Sequence, residues 1–480
     1  MDTIKIHPLD NVVVALRPQN GIDFGHKIAD ANIPTGAEII KYGYPIGHAT
    51  QDIGKGEHVH SHNVKTGLQD EVEYTYSPVG TVENAPEKIA AGSFMGFKRK
   101  NGAVGIRNEI WIVPTVGCVN PTGDAIAREA KALLGGSLQG IYNFPHPFGC
   151  SQLGEDHENT KKVLCGLVHH PNAGGVLVLG LGCENNSIAE MQEMLGEVDA
   201  ARVKFINCQD HEDEIAAALL LVEEIINEAK HDKREAVPSS ALIVGLKCGG
   251  SDGLSGITAN PLVGVFSDRL IAEGGSAILT EVPEMFGAET ILMNRCKNEA
   301  IFNKTVSLIN NFKQYFIKND QPIYENPSPG NKEGGISTLE DKALGCTQKA
   351  GNAAVSDVLQ YGERLRERGL NLLESPGNDL VASTALAVSG AHIVLFTTGR
   401  GTPFGAPVPT VKISSNTRLY ERKRNWIDFD AEPLIHGTPA DELAGRFYDY
   451  ILQLASGEVS TKTEQNDIRD LAIFKTGVTL

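Results

Sequence analysis

The chain has 480 residues, 41% of them hydrophobic and 21% charged, and a formal net charge of -17. That length exceeds one core and supports two or three domains of an ordinary globular protein. The negative charge argues against a nucleic-acid or anionic-membrane surface, but it leaves room for an anionic small molecule in a locally basic pocket.

Residues 1–70 read as a compact β module. Short β-rich runs at 4–7, 12–16 and 38–41 alternate with glycine turns, and no helical period appears. Ile33-x-x-Gly36-x-x-Ile39 recurs as Ile53-x-x-Gly56-x-x-Val59, a repeated turn–strand unit. Residues 71–100, with Tyr74, Tyr76, Pro78, Gly80 and Pro86, read as an extended connector.

From 101 to 237 strands alternate with amphipathic helices, the signature of a mainly parallel α/β sheet. Helices are expected at 124–134, 156–169, 188–195 and 212–230, and Pro238 with the serines after it marks a boundary. The second α/β region, 238–480, should hold a helix at 262–273, a strand at 277–280 and a long helix within 299–317. A turn-rich segment at 325–335 and a buried strand at 392–397 follow.

Five of the eight cysteines, Cys118, Cys150, Cys183, Cys248 and Cys346, sit in glycine-rich loops, most of them after strand-like runs. Open α/β sheets bind ligands outside the carboxyl ends of their strands, so these loops could converge on one metal-linked or catalytic pocket. No two of the five form a Cys-x-x-Cys pair, so an iron–sulfur cluster would have to be assembled from separate loops. Cys165, mid-helix between apolar residues, reads as a small buried hydrophobe.

Four other groups carry chemistry. His58, His60 and His62 alternate, so an extended strand would project all three imidazoles from one face. Such a face starts a divalent metal site or is simply solvated. The loop 245–261 offers close backbone approach through its glycines, with Lys247, Cys248, Ser251 and Asp252 as base, soft ligand, donor and acid. It lacks the ending of a phosphate-binding P-loop. Gly180-Leu181-Gly182-Cys183-Glu184-Asn185 is an incomplete dinucleotide fingerprint, and Glu184 suits hydroxyl or metal contacts better. Arg400, between two glycines, and Arg107, beside Asn108, are candidate carboxylate clamps.

Taken together, these segments resemble the altronate and galactarate dehydratase family. The resemblance rests on 4–7, 57–60, Pro114-Thr115-Val116-Gly117-Cys118-Val119-Asn120, 148–154, 247–261, 326–332 and Thr398 to Gly405, and it covers essentially the whole chain. It implies a SAF-type β-clip module followed by the α/β body, and a hydro-lyase dependent on Fe(II) or Mn(II). The substrate it implies is a sugar acid, D-altronate with galactarate as the alternative, in hexuronate catabolism. On that basis His60 and His62 are expected metal ligands, with His58, Lys247 and Asp252 in acid–base work. Arg107, Asn108, Asn260 and Arg400 are expected on the substrate. Cys118, Cys150, Cys183, Glu184, Cys248 and Cys346 are expected as metal or cluster neighbours. A non-catalytic sugar-acid sensor is the reading of another class. A cytoplasmic homo-oligomer with reduced cysteines is expected, since residues 1–5 have no signal-peptide layout.

Overall fold

The structure, a computed structural model, describes residues 2–68, 72–79 and 89–479. Within the N-terminal module the repeated motif closes on itself. Ile33 and Ile53 meet in an antiparallel bridge. Gly36 and Gly56 take left-handed φ values of 81° and 89°, which glycine adopts without steric cost. Ile39 and Val59 then close the same core, fully buried. Two antiparallel sheets surround this interior. One runs in the order Thr3–Ile4, Val12–Ala15, Lys27–Ala29, His58–Val59, and the other in the order Glu38–Lys41, Tyr44–Ala49, Val64–Lys65. As expected, the module has no helix among its described residues.

The connector is less free than its composition suggests. Gly80 and Pro86 lie outside the described residues, but the Tyr74 hydroxyl donates to Glu289 at 2.6 Å and Tyr76 to the Cys296 carbonyl at 3.1 Å. Its last residues form a strand, Ser93–Lys98, antiparallel to Arg234–Pro238. Pro238, read from the sequence as a boundary, ends the strand Arg234–Pro238.

The α/β body has two parallel sheets. The first is ordered Gly140–Asn143, Glu109–Pro114, Ala173–Gly180, Val203–Asn207. Helices Asn120–Ala130, Gly154–Val168, Ile188–Leu195 and Glu214–Ala229 accompany it. The first of these starts four residues before its expected position because Pro121, lacking an N–H, suits the first turn. The second sheet is ordered Val355–Leu359, Gly369–Leu373, Ser276–Leu279, Ile243–Cys248, Ile393–Thr398, Thr410–Ser414, Phe429–Asp430. Every pairing in it is parallel.

The two regions are not separately cored. Trp111, Val113 and Leu164 from the first pack in one cluster with Leu386 and Phe396 from the second. Among the described residues no helix is long and apolar enough to cross a membrane.

In the seven-stranded sheet the chain leaves Ile243–Cys248 toward one edge, then returns to place Ile393–Thr398 on its other side. This switch point opens a crevice outside the carboxyl ends of the two strands. The loops after Cys248 and Thr398 line it.

Candidate active site

The β module covers this crevice. An added Cβ at Gly253 would stand 1.9 Å from the Gly25 carbonyl oxygen, so only glycine lets the loop after Cys248 approach the module this closely. Gly253 N–H donates to the Gly334 carbonyl at 2.7 Å, which brings in the segment 326–335. That segment, expected as a loop, contains a short helix, Pro329–Glu333, capped by Ser328.

Where the module meets this segment, antiparallel pairing sets Lys27 opposite Val59 and Ile28 opposite His58. The register carries His26 to the side of His58 and His60. His26, His58 and His60 each offer a ring nitrogen within 4.8 Å of the others. His26 Nδ1 lies 3.0 Å from His58 Nε2, and His26 Nε2 lies 3.1 Å from the Glu333 carbonyl. His60 Nδ1 is buried without a partner. Desolvation and neighbouring positive groups push His58 down to about 4 and His60 to about 3, and burial lowers His26 as well. Three neutral imidazoles with a free lone pair suit a divalent ion of the Fe(II) or Mn(II) kind.

The expected set is thereby altered. His60 belongs to the group and His58 joins it as a possible ligand, but the strand ends at Val59. His62 falls outside the group, with its ring centroid 5.4 Å from that of His58, and is exposed. His26 carries no signal in its own neighbourhood, because only the pairing of distant strands reveals it.

Arg400, in the loop after Ile393–Thr398, reaches Glu333, the residue whose carbonyl meets His26. Its Nη2 donates to Glu333 Oε2 at 3.0 Å, with 46% and 68% of the two side chains exposed. A pair this exposed is weakly held, so the guanidinium is available to another carboxylate.

Several other expected site residues have polar atoms engaged within the protein. Lys247 is fully buried, and its ammonium donates to Glu281, to Asp379 at 2.9 Å and to the Cys248 carbonyl at 2.6 Å. Burial alone would drive it toward neutrality, but Glu281 and Asp379 outweigh burial and hold it well above the ordinary lysine value. A fixed cation has no lone pair with which to act as a base. Asp252 accepts from Ser255, Leu254, Ser415 and Asn416, which makes it the organiser of its loop. Asn260 donates to the Gly345 carbonyl and accepts from Thr397, so its amide is occupied. Arg107 is buried against Glu464, at 2.6 and 3.1 Å, and against the Leu454 carbonyl. Asn108 bridges Ser137, the Ala229 carbonyl and Arg99. Glu184 gives its carboxylate to Thr115 and to the N–H groups of Leu181, Gly182 and Cys183.

The cysteines divide. Cys248 and Cys346 are buried with sulfurs 3.3 Å apart, and each thiol donates to Glu284 at 3.2 Å. The contact lowers the pKa of Cys248 and raises that of Cys346. These three residues also share a metal-like spacing. Yet Lys342 pairs with Glu284 at 2.8 Å, and Lys247 and Lys349 add two more buried ammonium groups. Their positive charge already balances the acidic set, so a divalent cation does not fit there. Lys342 also donates to Asn326 and Asn331, so this buried network positions the segment that carries Glu333. Cys118, Cys150 and Cys183 are exposed on the other sheet, and Cys165 is buried mid-helix as expected.

Comparisons with known proteins match three segments of the chain. Residues 17–67 match the altronate/galactarate dehydratase SAF domain, residues 96–230 the D-galactarate dehydratase/altronate hydrolase second domain, and residues 239–479 the D-galactarate/altronate dehydratase C-terminal family. An altronate dehydratase of Bacillus subtilis (strain 168) is 56% identical, over 99% of this chain and 99% of its own length. One from Escherichia coli (strain K12) is 53% identical over 100% of both. A galactarate dehydratase (L-threo-forming) of Escherichia coli (strain K12) is 31% identical over 98% of this chain and 96% of its own. The N-terminal module is thus a SAF domain, and the chain belongs to the D-galactarate/altronate dehydratase family.

Proposed function

We propose that this chain is a hydro-lyase that converts D-altronate to 2-keto-3-deoxy-D-gluconate. The carrying observation is identity above one half, along the full length, to two altronate dehydratases. Galactarate stands second because its dehydratase is 31% identical. The sensor reading has no comparable support, since these full-length relatives are enzymes.

The reaction removes the C2 proton and the C3 hydroxyl, and the enol product tautomerises to the keto acid. Arg400 binds the substrate carboxylate by exchanging it for Glu333, a planar two-point contact that fixes the sugar's direction. Released from Arg400, Glu333 becomes a free carboxylate on the residue whose backbone carbonyl meets His26. We assign it to take the C2 proton. His26, His58 and His60 would hold Fe(II) or Mn(II), which when bound supplies Lewis-acid stabilisation of the charge that develops at the substrate carboxylate. The short helix Pro329–Glu333, locked by its Ser328–Asn331 capping box, keeps Glu333 in place. Eight unpaired cysteines suit a reducing, cytoplasmic setting.

Assaying 2-keto-3-deoxy acid from a panel of hexonates and hexarates, with Fe(II) or Mn(II) added, tests the assignment. D-altronate should be the best substrate. Preference for galactarate, or binding of altronate without turnover, would overturn it.

A further inference from the structure

We propose that Cys118, Cys150 and Cys183 form a site for a [4Fe–4S] cluster in which one iron has no thiolate ligand. This site is separate from the histidine group and independent of the altronate reading. All three cysteines are free and exposed, on loops beyond the carboxyl ends of Glu109–Pro114, Gly140–Asn143 and Ala173–Gly180.

The loops are tied together pairwise. Gly117 N–H donates to the Phe148 carbonyl at 2.8 Å, joining the Cys118 and Cys150 loops. Asn186 N–H donates to the Gly149 carbonyl at 2.9 Å, and Ser151 N–H to Asn185 Oδ1 at 3.0 Å, joining the Cys150 and Cys183 loops. Asn186 Nδ2 donates to the Thr115 carbonyl at 3.0 Å, and Glu184 holds Thr115 to the backbone around Cys183, closing the ring. Three cysteines held this firmly, and left open to solvent, are a built arrangement rather than a chance one.

The three sulfurs do not lie mutually within 4.8 Å of one another. A single tetrahedral ion with bonds of about 2.3 Å needs thiolates roughly 3.8 Å apart. Among the described residues only the His26 and Cys248 groups reach mutual distances within 4.8 Å. In a cubane cluster each thiolate binds a different iron, so the sulfurs stand further apart. Hydrogen-bond donors for cluster sulfur are also at hand. Gln209 Nε2 lies 3.4 Å from Cys183 Sγ, and Gln152, 3% exposed beside the Cys150 turn, has an Nε2 without a partner. On assembly from two ferrous ions, two ferric ions and four sulfides, no iron changes oxidation state, and each of the three thiols releases its proton to water and binds one iron. The fourth iron would lack a thiolate and would be open to a small oxygen ligand such as a carboxylate or hydroxyl.

The test is anaerobic reconstitution of the full chain with iron and sulfide, reading iron, acid-labile sulfide, the visible absorption band and protection from iodoacetamide. The wild type should take up about four irons and four sulfides per chain, with Cys118, Cys150 and Cys183 becoming protected from alkylation. Cys118→Ser, Cys150→Ser and Cys183→Ser should each lose most labile sulfide, while Cys208→Ser should keep it. Absence of labile sulfide in the wild type, or unchanged alkylation of the three cysteines in the reconstituted protein, would overturn the proposal. So would full cluster content in all three variants.

Discussion

Arg400 and Lys247 are both cations at the carboxyl ends of neighbouring strands, yet their surroundings give them opposite uses. Arg400 is half exposed with one acidic partner, whereas Lys247 is enclosed by Glu281 and Asp379. Arg400→Lys should therefore raise KM for altronate by roughly 10- to 100-fold, as a two-point charged contact worth about 1.5–3 kcal/mol is lost, with kcat much less affected. Glu333→Gln should do the reverse, lowering kcat by about 10²–10⁴-fold while KM moves little. Steady-state kinetics separate the two, and a fall in kcat for the arginine variant without a rise in KM would reverse the assignment. The sequence marks Arg400 by its flanking glycines, but it marks Arg107 and Lys247 equally well. What distinguishes them is burial against carboxylates from residues 464, 281 and 379, which are distant along the chain.

At the level of elements, two of the contacts that dock the SAF domain on the body carry predictions. The first is the glycine approach at Gly253. Gly253→Ala must push the turn at Gly25 away, moving His26 from the Glu333 carbonyl. Activity should fall by more than tenfold even where the melting temperature changes little, and retention of full turnover would show that the close approach is dispensable. The second is a buried ion triad. Lys27 and Lys41 from the domain reach the two oxygens of Asp341, at 2.7 and 2.9 Å, with all three side chains excluded from water. Asp341→Asn leaves two buried cations short of a partner and should cost about 3–5 kcal/mol, measurable by urea unfolding.

The triad also sets a pH dependence. Burial alone would raise the Asp341 pKa, but Lys27 and Lys41 outweigh burial and hold it well below the ordinary carboxylate value. Its contribution is therefore full above the unfolded-state pKa of about 3.9 and is lost as pH falls toward the folded-state value. Wild-type unfolding free energy should drop through that acid range, and Asp341→Asn should lack this component of the drop.

Across the molecule, the elements that repeat or alternate were readable and the contacts between them were not. The Ile-x-x-Gly repeat announced the β domain because each glycine must turn the chain. The alternation of strands with helices such as Ile188–Leu195 announced the parallel sheets because both periods are local. By contrast, His26 enters the site only through the pairing of Lys27–Ala29 with His58–Val59, and Glu333 only through its docking on Gly253. The five glycine-flanked cysteines look alike in sequence, yet the fold sends two into a buried lysine-ringed pair and three to an exposed edge. Separate domain cores were likewise a local inference, and the shared cluster of Trp111 and Leu386 corrects it.

Altronate dehydration by this chain is proposed to need a metal held by the histidine group of the SAF domain. Chelator-treated wild type and the His26→Ala/His60→Ala double variant should each be titrated with Fe(II) and Mn(II) while altronate turnover is followed. The wild type should be inactive until metal is added and then recover, and the double variant should stay at least about a hundredfold slower at every metal concentration, matching the loss of several kcal/mol of charge stabilisation. Full activity in the chelated wild type, or a double variant that titrates as the wild type does, would contradict it.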